Sequence, residues 1–306
     1  FEAGMNMKGE IDHLTKMIQP DLGIITNISY AHIQKFKNLK GIANAKAEII
    51  KNIVSEGTLV LNRDDNYFNY LKNIAKKANL KIISFGKKSD SNVFLKKIIN
   101  KKSKSILYIS INKKNKKFII KSKHKPYIHH MLASIAAISN FLDINEINKN
   151  IFDSFNLPKG RGNILQIKLK KNPFYLLDES YNSNPASLKF AINNFNNIKT
   201  ASGKKYILIG DMLELGKFSK SLHQEAAQNI NKSNINKVYV YGKYVKETFN
   251  KIKTQKRGKI LNNTNEILNL MRNTLNKNDY LMIKGSNGTG LNKIVNEIKT
   301  GKINVV

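Results

Sequence analysis

Short apolar runs alternate with helix-like segments along most of the chain, and this alternation limits the fold more than any other feature. The runs predicted as buried strands in the first half lie at 22–29, 58–62 and 81–85. The segments predicted as helices are the one around Lys46, 64–78, 127–142 and a shorter one at 145–155. Because helices between parallel strands cover both faces of a sheet, this pattern predicts an α/β fold.

The second half repeats the alternation more regularly and predicts a Rossmann-like domain. Its predicted strands lie at 174–178, 206–210, 238–241, 259–261 and 280–284, and a helix follows each of them. Asn184 can cap the first of these helices and Pro185 can begin it. The loops after the first two strands carry Asp178, Glu179, Asp211 and Glu214, which is a concentration of acid in a basic chain.

Two segments interrupt the alternation. Residues 91–122 contain short alternating runs around a turn at 112–115, a pattern typical of an antiparallel appendage. Residues 157–162, LPKGRG, bring together a proline and two glycines, which is typical of a domain boundary. We therefore predict a mostly parallel-sheet domain over 1–156 and the Rossmann-like domain over 157–306.

The chain is strongly basic, with 53 Lys and Arg against 21 Asp and Glu and a formal net charge of +32. Such a charge is compatible with nucleic-acid binding. However, only Arg63, Arg161, Arg257 and Arg272 are arginines, and arginine is the preferred reader of phosphate and guanine. The densest lysine run, 96–125, is interleaved with strand-like residues, which favours the solvated face of a hairpin.

Length and composition also limit the number of domains and the cellular compartment that we expect. With 306 residues we expect two domains, and the absence of cysteine excludes disulfides and thiolate zinc sites. No apolar run is long enough to span a bilayer and no leader pattern is present, so a cytoplasmic protein is expected. The sequence opens on Phe1, inside what looks like a motif, and we expect it to be a piece of a longer protein.

The segment 30–54 places a lysine on a helix face that should be apolar. The apolar positions recur at helical spacing around Lys46, and they are Ile42, Ala43, Ile49, Ile50 and Ile53. Burial disfavours an ammonium ion, so the amine is either neutral and reactive or paired with an anion or a metal-bound group. The alternative is a lysine whose stem lies along the apolar face while its amine reaches water. His32 follows the strand predicted at 22–29, where ligands of α/β sheets collect.

One glycine-rich loop remains open to two interpretations. Residues 285–290, GSNGTG, lie between a predicted strand and a predicted helix, so their amides could cradle an anion. The glycine spacing differs from that of dinucleotide-binding loops, and a plain strand-to-helix turn explains it equally well. The segment 86–89, GKKS, lacks the first glycine of a phosphate loop and is predicted to be a turn.

Eight segments, in order along nearly the whole chain, resemble the successive signatures of the Mur ligase family. They are FEAGMNMKGEI (1–11), TNISYAHIQKF (26–36), GIANAKAEI (41–49), LNRDD (61–65), KGRG (159–162), LLDESYNSNPASL (176–188), GDMLELGKFS (210–219) and IKGSNG (283–288). The resemblance implies the later part of a central, mostly parallel-sheet ATPase domain followed by the complete Rossmann-like C-terminal domain. It implies that the domain for the UDP end of the substrate and the phosphate loop are missing.

The resemblance also implies a reaction, in which ATP drives formation of an amide bond through an acyl phosphate. The segments DESYNSNPAS and GDMLELG are most similar to those of the member that joins D-alanyl-D-alanine to a UDP-N-acetylmuramoyl-tripeptide, in cytoplasmic peptidoglycan precursor synthesis. The implied cofactors are ATP and Mg²⁺, and the implied enzyme is a monomer without nucleic acid or membrane insertion. We expect the 306-residue piece alone to be inactive.

Several residue roles follow from this resemblance, position by position. Glu2, His32 and Lys46 would hold magnesium, with Lys46 carbamylated so that it becomes an anionic ligand; Lys46 and His32 are also the implied catalytic residues. The residues implied to contact the nucleotide are Arg161, Asp178, Asn182 and His130. The residues implied to contact the incoming dipeptide are Asn184, Asp211 and Glu214.

Two alternative functions stay open at this point. A sister Mur ligase or a folylpolyglutamate synthase would share the metal site without the loops at 180–185 and 211–216. A basic nucleic-acid-binding protein would instead show affinity that survives moderate salt.

Overall fold

The computed structural model describes residues 1–168, 173–200, 202–300 and 302. The chain divides into two compact units, Phe1–Phe155 and Asn156–Val306. Each unit is an α/β fold built on its own six-stranded sheet, and both sheets are mostly parallel, as predicted.

The sheet of the first unit follows the order of the chain. Its strands are β1 (Leu22–Ile25), β2 (Thr58–Asn62), β3 (Lys81–Gly86), β4 (Val93–Asn100), β5 (Lys104–Ile111) and β6 (Lys114–Lys121), each paired with the next. Its helices are α1 (Glu10–Ile18), α2 (Leu39–Ala47), α3 (Phe68–Lys77) and α4 (Ile128–Ile138). The strands β1 to β4 are parallel, and β4 to β6 are antiparallel.

Apolar cores cover this sheet on both faces, because side chains alternate along each strand. Leu59 and Leu61 of β2 belong to a cluster formed with α3 and with the 3₁₀ segment Glu48–Asn52, which follows α2. Val60, between them, belongs to the opposite cluster, which contains the buried face of α4. The two-sided covering predicted from the sequence is therefore confirmed for this unit.

Three features of the first unit differ from the prediction. The antiparallel strands at 91–122 are confirmed, but they continue the main sheet, because β3 pairs with the start of β4. The helix α1 is not predicted above, although its residues Ile11 and Thr15 are buried at helical spacing. The strand predicted at 22–29 ends at Ile25, because side chains at the end of β2 and in the loop after it take over the backbone hydrogen bonds beyond it.

The prediction of a helix at 145–155 is wrong. The chain forms successive turns there, with hydrogen bonds from Ile151 N to Asn148 O at 3.1 Å and from Asp153 N to Asn150 O at 2.9 Å. The Asn148 side chain accepts from Asn150 N–H at 2.8 Å, and such short polar side chains compete with helical hydrogen bonds. Turn geometry therefore prevails over the helical spacing of the apolar residues.

The strands of the second unit are β7 (Asn163–Ile167), β8 (Phe174–Glu179), β9 (Lys205–Gly210), β10 (Lys237–Tyr241), β11 (Arg257–Leu261) and β12 (Tyr280–Lys284). They form one sheet in the order β11-β10-β9-β12-β8-β7, which is parallel apart from the edge strand β7. Its helices are α5 (Pro185–Asn196), α6 (Ser219–Lys232), α7 (Lys246–Lys251), α8 (Thr264–Asn273) and α9 (Leu291–Lys299). All five predicted strands are confirmed, whereas β7 is not among them.

The start of α5 shows how local sequence sets an element. The Asn184 side chain accepts from Ser187 N–H at 2.9 Å, while Ser187 Oγ accepts from Asn184 N–H at 3.0 Å, which is a capping box. Pro185 occupies the first turn, where a missing N–H costs nothing. No helix among the described residues is long and apolar enough to cross a membrane.

The turn between β5 and β6 allows a test of backbone strain. Asn112 and Lys113 both have positive φ, 46° and 70°, as in the two-residue turns that favour Asn-Gly. Because glycine adopts this conformation without strain, we expect Lys113→Gly to stabilise the protein by about 1 kcal/mol in urea denaturation. The matched change Lys189→Gly, at an exposed lysine in the interior of α5, should cost about 1 kcal/mol. Equal effects of the two changes would contradict this account.

Candidate functional site

Lys46 lies near the end of α2, with its amine directed at the carboxyl end of β1. Ile42 and Ala43 on the same helix are fully buried, and Lys46 itself is half-buried. Its Nζ donates a hydrogen bond to the carbonyl of Asn27 at 2.9 Å. Burial lowers the pKa of Lys46, and the negative charge of Asp65 raises it to a smaller extent. The amine therefore points toward the carboxyl edge of the sheet. Because its pKa is lowered, its neutral form is more populated than that of a surface lysine.

Asp65 is the acid that shapes this environment, and it is not among the site residues predicted from the sequence. Its carboxylate accepts from Ile28 N–H and from Tyr67 N–H, both at 2.7 Å, so it is fixed between two loops. Since β1 and β2 are parallel neighbours, the residues that follow them meet at one edge. The sequence signal that could have indicated this contact is an acidic residue shortly after β2.

His32 lies in the lining of a cavity of about 590 Å³. Its backbone is left-handed, with φ 57°, and it begins a 3₁₀ turn at Ile33. The residues that share the cavity lining are Gly4 to Glu10, His13 and Leu14. Glu2 is exposed, and neither Glu2 nor Lys46 belongs to that lining. Of the three residues implied to hold magnesium, this lining therefore contains His32.

Glu48, two residues beyond Lys46, anchors the segment that carries Glu2 and the cavity. Its buried carboxylate accepts from Gly9 N–H at 2.9 and 3.0 Å and from Asp12 N–H at 3.3 Å. Gly9 itself provides no side-chain cap for α1, so Glu48 satisfies the free amides and complements the helix dipole. No local sequence pattern indicates this role, because the two partners are 39 residues apart.

In the second unit, three loops at the carboxyl ends of β8, β9 and β12 meet around Ser286. Its hydroxyl donates to Ser183 O at 3.0 Å and accepts from Leu213 N–H at 2.9 Å. Its own N–H donates to Asp211 O at 2.9 Å. Ser286 is only 5% exposed, so these hydrogen bonds form in a dry environment and fix the three loops to one another.

Three residues implied to contact ligands have side chains engaged within the fold. Asp178 is buried, and its carboxylate is paired with Lys299 and accepts from Ser180 N–H and Oγ. Asp211 accepts from Val245 N–H at 2.7 Å and from Lys243 N–H at 3.0 Å, and so holds the turn after β10. Asn184 caps α5, as described above. In this conformation these polar groups support the loops.

The remaining implied contact residues lie on the surface. Arg161 is exposed, with its guanidinium 4.3 Å from the centre of the Tyr181 ring. Asn182 is exposed in the loop after β8, and Glu214 is exposed in the loop after β9 with a left-handed φ of 61°. His130 is exposed on α4, stacked against Tyr127 at a ring distance of 6.5 Å.

A buried ion pair joins the ends of β8 and β12, and it was not predicted from the sequence. Lys284 is 2% exposed, its Nζ donates to Asn182 O at 2.9 Å, and the Glu179 carboxylate lies 3.8 Å away. Burial lowers the pKa of Lys284 and raises the pKa of Glu179, while each charge opposes the shift of the other. Lys284 and Glu179 are directly paired on the adjacent strands β12 and β8, so the ion pair links the ends of these two strands.

His223, fully buried on α6, fixes the loop after β9 from below. Its Nδ1 lies 2.8 Å from Ser219 O, to which it donates, and its Nε2 accepts from Met212 N–H at 3.1 Å. These two bonds require the neutral ring, because a protonated imidazole has no acceptor nitrogen. Burial lowers the pKa of His223, which matches this requirement.

Comparison with known proteins places the chain among one group of enzymes. The sequence profile of the Mur ligase middle domain matches residues 1–138, and that of the Mur ligase, glutamate ligase domain matches residues 160–287. A UDP-N-acetylmuramoyl-tripeptide–D-alanyl-D-alanine ligase of Rickettsia prowazekii is 31% identical over 303 residues, which cover 96% of this chain and 65% of the relative. The ligase of the same name from Buchnera aphidicola is 32% identical, over 97% of this chain and 63% of the relative.

Solved structures agree on the fold. A crystal structure of MurF from Acinetobacter baumannii matches with a TM-score of 0.82 at 23% identity, over 97% of this chain and 63% of that one. MurF ligase from Thermotoga maritima in complex with ADP matches with a TM-score of 0.75 at 23% identity, over 96% of this chain and 65% of that one. The chain thus spans 63–65% of the length of these proteins.

The depressed pKa of His223 predicts how stability depends on pH. An unfolded histidine takes up a proton near pH 6.5, whereas the folded His223 resists it, so its contribution to stability falls as pH drops below about 6.5. We expect His223→Gln to flatten the fall of the thermal midpoint between about pH 6.5 and 5.5. The exposed His13, changed to Gln, is the control and should leave the slope unchanged. A slope unaffected by His223→Gln would contradict the neutral-ring assignment.

Proposed function

The chain belongs to the Mur ligase family, of which it carries the middle and the C-terminal domains, and from this we propose that it forms part of an ATP-dependent amide ligase. The proposed reaction joins D-alanyl-D-alanine to a UDP-N-acetylmuramoyl-tripeptide in cytoplasmic peptidoglycan precursor synthesis. The observation that carries this proposal is the match over 96% and 97% of the chain to two relatives of that name. The segments 180–185 and 211–216 support this member over its sisters.

The proposed chemistry has two steps. The tripeptide carboxylate attacks the γ-phosphorus of ATP, the bond to ADP breaks, and an acyl phosphate forms. The amine of D-alanyl-D-alanine then attacks the acyl carbon, and the tetrahedral intermediate expels phosphate and leaves the amide. ATP and the two substrates account for every group that the reaction consumes, so the proposed reaction needs no nucleic acid. We propose that the enzyme acts as a monomer.

Magnesium is the proposed metal, and the donor set of the first unit restricts how it would bind. The described residues contain no group of three or more His, Cys, Asp or Glu side chains placed to hold a metal ion. A carbamate on Lys46 would add an anionic oxygen donor to His32 and Glu2, which is the donor type that magnesium prefers. When bound, the ion would stabilise negative charge on the transferring phosphoryl group.

The environment of Lys46 supports carbamylation, because only a neutral amine adds carbon dioxide. Burial lowers the pKa of this amine and so raises its neutral fraction at a given pH. The carbonyl of Asn27 and the charge of Asp65 orient the amine at the carboxyl end of β1. Once formed, the carbamate would lie near Asp65, and a cation between two negative groups would offset their repulsion.

Contacts with the nucleotide and the dipeptide are proposed for the loops of the second unit, and one further nucleotide contact is proposed for α4 of the first unit. Arg161 and Asn182 present an exposed cation and an exposed amide for the nucleotide, and His130 on α4 presents an exposed ring. Asp178 would contact the nucleotide only after its pairing with Lys299 opens. Glu214 would contact the dipeptide directly, whereas Asn184 and Asp211 would act by holding their loops.

The substrate assignment can be tested on the full-length protein. We expect ATP-dependent phosphate release with UDP-N-acetylmuramoyl-tripeptide and D-alanyl-D-alanine together, and at least about a hundredfold less when glutamate or diaminopimelate replaces the dipeptide. Comparable release with glutamate would point to a folylpolyglutamate synthase or a sister ligase. Mass spectrometry of the product provides the independent check, because the dipeptide must be retained in it.

Carbamylation of Lys46 can be tested separately from turnover. We expect ¹³C-labelled bicarbonate at pH 8 to give a carbamate carbonyl resonance in this chain that disappears in Lys46→Ala. In the full-length enzyme, Lys46→Ala should lower kcat about 10²–10³-fold. Lys40→Ala, which removes an exposed lysine of the same helix, should change neither measurement. A resonance that persists in Lys46→Ala would exclude this residue as the site.

A further inference from the structure

The antiparallel part of the first sheet carries a strong positive charge without any acid. Between Asp90 and Asp143 the chain contains no aspartate or glutamate, and twelve lysines fall within 91–125. The strands β4, β5 and β6 occupy most of this stretch. This is the longest stretch of the chain without an acidic residue, so its positive charge is the least compensated by sequence neighbours.

Strand alternation divides the side chains of β4, β5 and β6 between two faces. Leu107, Ile109, Phe118 and Ile120 are fully buried and belong to the core cluster with α4. The alternate positions form what we call the outer face, which consists of Lys97, Ile99, Ile106, Tyr108, Lys117 and Ile119. The isoleucines and Tyr108 are half-buried, and the two lysines are exposed.

The outer face combines charge with apolar surface in a regular arrangement. Tyr108 lies opposite Lys97 on one neighbouring strand and Lys117 on the other, and Lys117 Nζ is 5.5 Å from its ring centre. Ile106 lies opposite Ile99 and Ile119 in the same way. A row of isoleucines therefore runs beside a row in which a tyrosine is flanked by two lysines.

We propose that this outer face binds the surface of a bilayer that contains anionic lipids. Clustered lysines are attracted to an anionic leaflet, and their stems pack on apolar surface while the amines reach the headgroups. Tyrosine is enriched at the boundary between headgroups and acyl chains, and the isoleucine row can enter that boundary. The association is peripheral, in keeping with the absence of a membrane-spanning helix among the described residues.

The same face is poorly suited to nucleic acid. No arginine lies between Arg63 and Arg161, so the face lacks the side chain that reads phosphate and guanine in a bidentate manner. Single-stranded nucleic acid is bound on several aromatic rings that stack with successive bases, whereas this face offers Tyr108 alone. Lysine charge and aliphatic surface favour a lipid headgroup layer.

The test measures partitioning of the 306-residue chain onto vesicles by co-sedimentation. We expect binding to vesicles of phosphatidylcholine with phosphatidylglycerol, weaker binding as salt rises, and no binding to phosphatidylcholine alone. The variant Lys97→Glu with Lys117→Glu should lower the partition coefficient at least about thirtyfold, since each lysine contributes roughly fivefold. The control Lys189→Glu with Lys220→Glu, exposed lysines of α5 and α6, makes the same change in net charge and should have a much smaller effect.

Each outcome decides the proposal. Equal losses in the two double variants would show that net charge alone drives binding, and would overturn the assignment to the outer face. Binding of a single-stranded RNA that competes fully with vesicles and is lost in the first variant would overturn the lipid assignment in favour of nucleic acid. Circular dichroism of both variants excludes misfolding as the cause. None of these results bears on the proposed ligase activity.

Discussion

Parallel pairing of the central strands is the constraint on which both units depend. In a parallel sheet the strands end at the same edge, so loops distant in sequence are forced together there. In the first unit this brings Asn27 and Asp65 to the amine of Lys46. In the second unit it brings together the loops after β8, β9 and β12, which Ser286 then joins by three hydrogen bonds.

Most polar groups at these edges serve the loops themselves. Asp178, Asp211 and His223 are buried, and each bonds to backbone or side-chain groups of its surroundings. A buried polar group without partners costs free energy, so these contacts fix the conformations of the loops as well as stabilising the fold. The exposed Arg161, Asn182 and Glu214 are then presented on a rigid support.

Two lysines at the carboxyl ends of the sheets, the buried Lys284 and the half-buried Lys46, differ in what surrounds them. Lys284 has the Glu179 carboxylate 3.8 Å away and a carbonyl acceptor, so its charge is compensated within the sheet. Lys46 has a carbonyl acceptor and only the more indirect influence of Asp65, which is itself held by two backbone amides. The lowering of the pKa by burial is therefore less fully opposed at Lys46, and this favours chemistry of its neutral amine.

The sequence by itself determined the α/β class, nearly all the strands and the start of α5, because strand alternation, helical spacing and a capping box are local patterns. It also singled out Lys46, since a lysine on an apolar helix face is visible without coordinates. It misjudged 145–155, where asparagine side chains compete with a helix, and it missed β7 and α1. Only the tertiary structure decided which polar groups are internally satisfied: Glu48 caps a helix 39 residues away, and Lys284 reaches the carbonyl of Asn182 across the sheet. Such partners are chosen by the packing of strands and helices in space, and sequence spacing carries no record of that distance.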